Sequence, residues 1–240
     1  MGPLSLKIIS YNVHWGLSTF RRHAIEERLV QTILREQCDL ILLQELWLPE
    51  GEVLLSMLKH LEEEWEHRIS GPTVRFGTGI QGNGLLSRFP FASWRNHPMP
   101  HHSHQDRALL HAIVAVPDGR DLHVVCTHFG LSHAERRAQT EDLFRYFDEN
   151  IPPEQAVILG GDFNDWRGTL SHQFQVRLGL KEVFLSSRGR HAKTYPAIFP
   201  LLCLDRIYVR QLEIKSARVV HEAGWRGSSD HLPLAVEVFL

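Results

Sequence analysis

An apolar run at 156–161 ends in a carboxylate and a carboxamide two residues apart, Asp162 and Asn164. Residues i and i+2 of an extended segment lie on one face, so this acceptor and this donor would be directed into the same small volume. Consecutive aliphatic residues suit a strand that is covered on both faces, and paired glycines allow its end to turn sharply. The pair indicates a functional site, the alternative being a simple Asp-Phe-Asn turn.

Other apolar segments end in polar side chains in the same way. Asn12, Glu45 and His128 each stand at the carboxy-terminal end of an apolar segment. Asp230 and His231 directly precede another apolar run. Ionisable residues at strand ends are where an open sheet or a sandwich places an active centre. We therefore expect these side chains to meet at one edge of the sheet structure.

The elements that must position this centre are both helical and extended. Ser132 and Glu135 have the spacing of a capping box at the start of a helix. The Pro- and His-rich stretch at 97–104 indicates a loop. Many strands with few crossover helices favour two packed sheets with helices outside. Amphipathic helices are predicted at 21–37, 52–64 and 132–150, and strands near 6–12, 39–45, 84–88, 109–116, 122–128, 156–162, 204–209, 214–220 and 232–239.

Length and composition limit the fold. A chain of 240 residues with 43% hydrophobic content can bury a substantial core. The chain has no composition break or linker, so we expect one domain over 1–240. Cys38, Cys126 and Cys203 are far apart and odd in number, which favours core thiols over a disulfide framework or a Cys-based zinc site.

Charge and hydropathy exclude few functions. No apolar stretch reaches the roughly 18 residues of a membrane-spanning helix, and the first residues lack the pattern of a signal peptide, so we expect a cytoplasmic protein. The net charge of -2 and the pI near 6.8 give no electrostatic footprint of a dedicated nucleic-acid binder. This weakens a DNA substrate without excluding it, because acidic helices could hide a local basic groove.

Six short motifs occur in register along the chain. They are Asn12, Gln44-Glu45, Thr127-His128, Gly161-Asp162-Phe163-Asn164, Leu204-Asp205-Arg206-Ile207 and Ser229-Asp230-His231. In this order they resemble the endonuclease/exonuclease/phosphatase superfamily, which includes pancreatic deoxyribonuclease, apurinic/apyrimidinic endonucleases, neutral sphingomyelinases and inositol polyphosphate 5-phosphatases. The segment 127–139 is most similar to small bacterial members beside phospholipid-synthesis genes, whose substrates are poorly defined. The resemblance implies a four-layer α/β sandwich of two packed mixed β-sheets flanked by helices.

The resemblance also implies a divalent metal, usually Mg²⁺, for which Mn²⁺ can substitute. Glu45 would be the principal ligand, helped by Asp230 and, directly or through water, by Asn12. Hard carboxylate and carboxamide oxygens suit Mg²⁺, which keeps several waters and binds the substrate phosphate as well. Members that cut abasic DNA carry an aspartate where this chain has His14, a poorer Mg²⁺ ligand, so a second metal contact is left open.

Phosphate-ester hydrolysis needs an activated water, neutralised phosphoryl oxygens and a stabilised leaving oxygen. In the family's usual assignment, Asp162 orients or deprotonates the water, and we favour it as the base over His231. Asn164 would donate to a phosphoryl oxygen. His231, oriented and kept cationic by Asp205, would contact the phosphate. His128 falls where the deoxyribonuclease and sphingomyelinase branches place a second catalytic histidine.

Substrate contacts are predicted for Asn83 and Arg107, which match family positions that face the phosphate, and Lys193 could reach the same edge. The histidines at 97, 101, 102, 104 and 111 are spaced too irregularly for a zinc site and indicate a rim or lid instead. Trp15, Trp47 and Trp166 follow strand-end site residues. They could stack on a base, line a lipid-facing rim or cap the core.

The residues and the resemblance are compatible with two functional classes. The first is a monomeric phosphodiesterase that acts on nucleic acid or on a phospholipid-like diester, with peripheral membrane contact possible. The second is a phosphomonoesterase that acts on a small molecule or lipid headgroup, and a binding-only protein is a distant third. A nuclease would need a basic groove near Arg75, Arg107, Arg167 and Arg188, and lipid action an apolar rim with the tryptophans and Phe163 or Phe199 exposed.

Overall fold

The computed structural model describes residues 2–14, 31, 33–49, 64–76, 79–99, 106–221 and 228–240, without the side chains of 47–49, 74–76 and 79. Of the helix predicted at 21–37, residue 31 and residues 33–37 are described, and all of them are helical except Gln37, which lies in a turn. The helix predicted at 52–64 lies outside the described residues except for its last position. The side chains of Trp15, Trp47, Arg75 and the histidines at 101, 102 and 104 lie outside them too.

The first of two six-stranded sheets contains the amino- and carboxy-terminal strands. Its strands are β1 (Ser5–Asn12), β2 (Leu40–Pro49), β3 (His67–Phe76), β4 (Gly79–Ser87), β11 (Glu213–Val219) and β12 (Leu234–Phe239). Their order is β11-β12-β1-β2-β4-β3. Strands β1 and β2 run parallel, with Asn12 opposite Gln44, and the other neighbouring strands are antiparallel.

The second sheet repeats this pairing pattern. Its strands are β5 (Phe91–Met99), β6 (Arg107–Ala115), β7 (Asp121–His128), β8 (Ala156–Asp162), β9 (Lys181–Glu182) and β10 (Asp205–Arg210), in the order β5-β6-β7-β8-β10-β9. The central strands β7 and β8 run parallel, with His128 opposite Asp162. Strand β10 lies antiparallel to β8, so Asp205 at its start also stands opposite Asp162.

The two sheets pack face to face through one core. Ile8 and Leu42 of the first sheet belong to the same buried cluster as Val124, Ile158 and Ile207 of the second. This cluster explains why the central strands are so apolar, since an inner strand of a sandwich is covered on both faces.

Separate clusters cover the outer faces of the sheets. Outside the first sheet, Ile41 packs with Ile33 of the 33–36 helical turn and with Trp65. Outside the second sheet, Val157 and Leu159 pack against side chains from the helices at 133–150 and 169–178. The chain therefore forms the four-layer α/β sandwich that the motifs predicted.

A polar contact crosses between the sheets below the strand ends. The amide of Gln44 on β2 donates to Cys126 Sγ on β7 at 3.3 Å, and this thiol donates to the carbonyl of Leu43 at 3.3 Å. Burial is the main reason that the pKa of the Cys126 thiol is raised to about 12. All three cysteines are free thiols; Cys38 and Cys126 are buried in the core as the sequence predicted, whereas Cys203 is half-buried.

Helices α1 (His133–Asn150) and α2 (Thr169–Leu178) lie in the second sheet's outer layer, whereas α3 (Val183–Arg188) contributes Val183 and Phe184 to the core between the sheets. Helix α1 was predicted with its capping box, which is confirmed. Ser132 Oγ accepts from the backbone N–H of Glu135 at 3.1 Å, and the Glu135 carboxylate accepts from the N–H of Ser132 at 3.2 Å. Helices α2 and α3 were not predicted. No helix of the described residues is both long and apolar enough to cross a membrane.

The loop predicted at 97–104 is wrong in its first part. His97 to Met99 belong to strand β5, where His97 stands opposite Leu109. Strand β5 escaped prediction because it is an edge strand with mostly exposed side chains, which removes the apolar alternation of a strand. Strand β3 escaped it too, since Gly71 and Pro72 interrupt its pattern.

Candidate active site

Five side chains converge because of how the central strands end. Asn12, His128 and Asp162 are the last residues of β1, β7 and β8, and the carboxyl ends of these strands lie at one edge of the sandwich. Asp205 begins the antiparallel strand β10 opposite Asp162, and His231 lies just before β12. All five are at most 5% exposed. The active centre predicted at this edge is therefore a buried polar cluster.

His231 is held by a buried carboxylate. Its Nδ1 lies 2.8 Å from Asp205 Oδ2, which also accepts a hydrogen bond from Thr194 Oγ1 at 2.5 Å. The ring of Tyr195 packs against the imidazole with 5.0 Å between centroids. Burial opposes the charged form of the ring, but the charge and hydrogen bond of Asp205 outweigh it and raise the pKa of His231 to about 10. The Nε2 atom remains directed toward Asp162, at 3.8 Å.

Asp162 is the central carboxylate of the cluster. Its Oδ1 accepts the backbone N–H of Asn164 at 2.9 Å, and its Oδ2 accepts the Asn12 amide at 3.1 Å. That Oδ2 also lies 3.6 Å from His128 Nε2. Burial and the nearby charge of Asp205 raise the pKa of Asp162 above its usual range. A carboxylate in such surroundings is a stronger proton acceptor than one in water.

The protonation of His128 follows from its neighbour. The guanidinium Nη1 of Arg107 lies 2.9 Å from His128 Nδ1, and a guanidinium can only donate. Nδ1 must therefore accept, which places the proton of a neutral ring on Nε2. Burial and the Arg107 charge hold the pKa of His128 well below its usual range. His128 consequently presents an N–H donor to the volume beside Asp162.

Asn164 has a positive φ of 49° immediately after β8. Asn tolerates this left-handed conformation better than most residues. Its amide Nδ2 donates to the carbonyl of Phe129 at 2.9 Å and lies 3.4 Å from His128 Nε2. The turn therefore fixes the carboxamide next to the donor face of His128.

A second set of side chains lies where the cluster opens to solvent. His14 Nδ1 lies 3.4 Å from Glu45 Oε2 and 3.5 Å from Asp230 Oδ1, so one imidazole lies between two carboxylates. Gln81 and Asn12 each donate to Glu45 at 3.0 Å. Burial alone would raise the pKa of Glu45, but the hydrogen bonds from His14 and Asn12 lower it well below its usual range.

This donor set fits a hard divalent cation. Glu45 and Asp230 offer carboxylate oxygens, the ligand type that Mg²⁺ prefers; their side chains are 17% and 33% exposed, and both lie within 3.5 Å of His14 Nδ1. The Asn12 amide donates to Glu45 while its Oδ1 accepts the N–H of His14 at 3.0 Å, so Asn12 orients the carboxylate. A contact from its oxygen to a metal would need a rotated amide.

A tighter metal-like group exists within the cluster itself. Single ligand atoms of Asp162, Asp205 and His231 lie within 4.8 Å of one another. However, Asp205 Oδ2 already accepts from both His231 and Thr194, and all of these groups are buried. Hydrogen-bond commitment and burial distinguish these three groups from the more exposed carboxylates of Glu45 and Asp230.

Comparison with known proteins identifies the family of this chain. A sequence model described as the Endonuclease/Exonuclease/phosphatase family matches residues 9–231, from β1 to the histidine that precedes β12. The chain belongs to this family. The resemblance drawn from the six motifs is therefore confirmed, and the family is one of hydrolases that act on phosphate esters.

The relatives within the endonuclease/exonuclease/phosphatase family include proteins of known structure and one without an assigned substrate. The chain is 33% identical over 246 residues to the uncharacterized protein YbhP of Escherichia coli (strain K12), covering 98% of this chain and 97% of YbhP. The catalytic domain of human Nocturnin with a bound sulfate anion superposes with a TM-score of 0.80 at 18% identity, covering 99% and 94%. D. rerio TDP2 with a single-strand DNA product gives 0.75 at 20% identity, covering 98% of both chains.

The two family positions predicted to face the phosphate lie beneath the site. Arg107 is 6% exposed and contacts His128 from behind. Asn83 is 1% exposed, and its amide donates to the carbonyl of Ala108 on β6 at 2.9 Å. The described contacts of both residues are therefore with the protein layer that supports the site.

Other side chains named from the sequence have structural surroundings. His111 is buried, with Nδ1 2.9 Å from Tyr146 Oη and Nε2 3.0 Å from His123 Nδ1, and belongs to no described metal group. Phe163 is fully buried in the outer core. Trp166 is 48% exposed under the guanidinium of Arg136.

Sequence reasoning missed three contributors to the site. Thr194 and Tyr195 contact the Asp205–His231 pair from the irregular segment between α3 and β10, and Gln81 on β4 donates to Glu45. None of them carries a motif, because a hydroxyl, a phenol ring and a carboxamide are common on surfaces as well. They are recognised only by their contacts with Asp205, His231 and Glu45 in the folded chain.

Proposed function

We propose that this chain is a divalent-metal-dependent phosphodiesterase that cleaves its substrate by in-line attack of an activated water. The observation that supports this most strongly is the position of Asp162. This buried carboxylate lies between His231 and His128. The carboxylates of Glu45 and Asp230 are less buried, and both lie close to His14. A base, two N–H donors and a cation site are the groups that phosphoryl transfer needs.

Asp162 is proposed as the general base. His231 is cationic at neutral pH because Asp205 raises its pKa to about 10, so it has no free lone pair to accept a proton. Asp162 is the acceptor that burial makes more basic. It would orient the water through one oxygen while Asn12 and the Asn164 N–H hold the carboxylate in place.

The two histidines are proposed as donors to the phosphoryl group. His231 would present its Nε2–H beside Asp162 and neutralise charge that develops on a phosphoryl or leaving oxygen. His128, with its proton on Nε2, would donate to another oxygen of the same group, next to the Asn164 amide. Rigid burial means that little reorganisation is needed during the reaction.

Glu45 and Asp230, oriented by Asn12, are proposed to hold Mg²⁺, with Mn²⁺ as a substitute. The ion would neutralise the negative charge of the phosphate oxygens when bound. The donor set supports this because it consists of hard oxygens that are more open to solvent than the catalytic cluster.

The substrate is proposed to be a phosphodiester of nucleic acid or of a phospholipid type. The sulfate in Nocturnin and the DNA product in TDP2 support a site for tetrahedral anions on this fold. We propose the cytoplasm as the compartment, because free thiols such as Cys126 and Cys38 persist in a reducing environment.

The test is hydrolysis of bis-para-nitrophenyl phosphate and para-nitrophenyl phosphate with Mg²⁺, Mn²⁺ or EDTA. We expect metal-dependent cleavage of the diester and a loss of about 100-fold or more in His231→Ala, since a positioned acid or base contributes about that much. Glu45→Gln should lose Mn²⁺ binding in calorimetry while it keeps its fold. His172→Ala is the matched control, because this histidine is exposed on α2.

Each arm can contradict a different part of the proposal. Full activity in EDTA would contradict the metal dependence, and full activity of His231→Ala would contradict the role of His231 as a donor. Cleavage of the monoester alone would replace the phosphodiesterase by the phosphomonoesterase alternative.

A further inference from the structure

A tight hairpin projects from the wall of the catalytic cluster. Tyr195 and Leu202 form a backbone bridge, and the N–H groups of Leu201 and Leu202 both donate to the Tyr195 carbonyl at 2.8 Å. The N–H of Phe199 donates to the carbonyl of Pro196 at 3.1 Å inside this turn. We call residues 195–202 the apolar hairpin.

The hairpin is attached directly to the catalytic residues. The N–H of Ala197 donates to the carbonyl of Asp230 at 2.7 Å, and the N–H of Leu232 donates to the carbonyl of Thr194 at 2.9 Å. The Tyr195 ring at its base packs on the ring of His231. Any surface that the hairpin tip contacts is therefore brought next to the mouth of the site.

The tip exposes apolar side chains that a monomer in water would bury. Ile198 is 87% exposed, Phe199 69%, Leu201 53% and Leu202 39%. No charged residue occurs in the stretch 194–204 that contains them. Single exposed apolar residues are ordinary, but a cluster in one short hairpin marks an interaction surface.

Exposed cations come directly before this apolar tip. Arg190 and Lys193 are both exposed, within a few residues of Tyr195. Apolar side chains flanked by Lys and Arg are the pattern of segments that enter the interface of an anionic membrane. Partners that stack on bases present aromatic faces, whereas this tip is mainly aliphatic.

A second copy of the chain fits the hairpin less well. In a two-fold dimer the same patch meets itself, so Arg190 and Lys193 beside one hairpin would come close to those beside the other. Repulsion between them would oppose the contact, whereas anionic lipid headgroups would attract them. Charge complementarity therefore favours a membrane surface as the occupant.

We propose that the apolar hairpin inserts its tip into the surface of an anionic phospholipid bilayer and so presents the phosphodiester of a membrane lipid to Asp162 and His231. This inference rests on the proposed phosphodiesterase function and names its substrate class. Interfacial segments enter a bilayer by about 5–10 Å, to the boundary between headgroups and acyl chains. The root of the hairpin, and with it the site, is then at the level of the headgroup phosphates.

The test is co-sedimentation with vesicles of phosphatidylcholine that contain phosphatidylglycerol, compared with phosphatidylcholine alone. We expect the wild type to bind the anionic vesicles, with weaker binding as salt is raised. Ile198→Ser/Phe199→Ser should reduce the partition coefficient about 100-fold, since two large apolar side chains no longer leave water. Trp94→Ser is the matched control, because it removes an exposed aromatic side chain from β5. Leu201→Ser serves as a second variant if the double variant does not fold.

Hydrolysis separates this inference from the proposed function. Hairpin variants should cleave bis-para-nitrophenyl phosphate at the wild-type rate but lose cleavage of vesicle phospholipid together with binding. Diester cleavage without vesicle binding by the wild type would overturn the membrane inference and leave the phosphodiesterase intact. Vesicle binding without any diester cleavage would overturn the phosphodiesterase and the lipid substrate with it, and would leave only the hairpin's contact with the membrane.

Two further outcomes would also overturn the membrane inference. One is a double variant that binds anionic vesicles as tightly as the wild type and changes only its elution in gel filtration, which would assign the hairpin to self-association. The other is a double variant that loses binding to a single-stranded oligonucleotide while it keeps vesicle binding.

Discussion

Each histidine of the catalytic cluster takes its protonation state from one neighbour, with opposite results. Asp205 accepts from His231 Nδ1 and keeps that ring cationic. Arg107 donates to His128 Nδ1 and keeps that ring neutral, with its proton on Nε2. Both rings therefore present an N–H to the volume beside Asp162, one charged and one not. The position of Arg107 in sequence predicted contact with the phosphate, whereas its described hydrogen bond is to His128.

Removing the Arg107 guanidinium should disturb His128 more than the fold. Arg107→Met frees His128 Nδ1 to carry the proton and raises the pKa of the ring, because a nearby positive charge is lost. We expect a loss of about 10- to 100-fold in kcat/KM, the usual cost of losing a residue that orients a ligand or catalytic ring. Nitrogen NMR of the histidine rings reports the tautomer directly.

Controls for Arg107→Met come from the same chain. Arg107→Lys keeps a donor and should restore part of the activity, and Arg95→Met removes an exposed arginine of β5 as a matched control. An unchanged His128 tautomer in Arg107→Met would contradict the positioning role.

Asp205→Asn tests the charge on His231 through pH. The carboxylate raises the pKa of His231 to about 10, so His231 is cationic below that pH and loses its proton above it. Without this negative charge the pKa falls, and the alkaline limb of the kcat/KM profile should move down by about 1–3 pH units. Asp121→Asn, at the exposed start of β7, is the control. If the limb stays in place in Asp205→Asn, another group titrates there.

The sequence predicted the ionisable part of the site but not its supports. Asp162, Glu45 and His231 were predicted because polar residues next to apolar runs mark strand ends, where an active centre is placed. Asp205 was predicted from its place in the six motifs that carry the family resemblance. Thr194 supports them from an irregular segment, where side-chain type alone does not distinguish a buried hydrogen-bond donor from a surface residue.

At the scale of elements, strand β8 meets β7 more closely than a side chain would permit. Gly161 has a φ of +151°, and a Cβ there would lie 1.9 Å from the carbonyl oxygen of Thr127. This close approach sets Asp162 beside His128 at the ends of the two parallel strands. The paired glycines of the sequence predicted a sharp strand end, and the structure assigns the requirement to the second glycine.

Gly161→Ala should therefore damage both stability and activity. The clash is with backbone, which cannot move aside as a flexible side chain can, so we expect a loss of about 3 kcal/mol or more in unfolding free energy. Urea denaturation measures it. Gly119→Ala is the control, because it has a φ of +82° with open space around it and should cost only about 1–2 kcal/mol. Equal losses in both variants would show that backbone conformation, not the contact with Thr127, is the cause.

The elements that sequence predicted are those with a physical reason for a regular pattern. Buried strands such as β7 and β8 must be apolar on both faces, and α1 carries its own capping box. Edge strands β3 and β5 lack such a pattern because exposed faces accept polar residues, Gly and Pro. Helix α3 has six residues, too few for its periodicity to be recognised.

At the scale of the whole molecule, the two sheets share one core between them. We propose on this basis that residues 1–240 form one domain, as composition predicted. The four central strands β1, β2, β7 and β8 supply Asn12, Glu45, His128 and Asp162, so the catalytic edge exists only while the sheets are packed together. The stability of the sandwich and the geometry of the site are therefore linked.

A histidine in the second sheet makes that stability sensitive to acid. Burial, then the charges of His123 and Arg95, lower the pKa of His111 from 6.5 to about 4. The unfolded chain therefore binds a proton between these pH values that the folded chain does not. Stability is fully present above pH 6.5 and falls as the pH decreases toward about 4, by up to about 3 kcal/mol.

Urea unfolding at a series of pH values measures this dependence. His111→Gln should flatten the slope over that range, whereas His172→Gln on the surface should leave it unchanged. An equally steep slope in His111→Gln would assign the acid sensitivity to other groups.

The thiol of Cys126 lies where the sheets meet, between Gln44 and the carbonyl of Leu43. Its pKa is raised to about 12 and the side chain is fully buried, so it stays an unreactive thiol while the two sheets are packed together. Alkylating reagents can reach it only when the sheets separate. The rate at which Cys126 is alkylated therefore measures how often the two sheets separate at the catalytic edge.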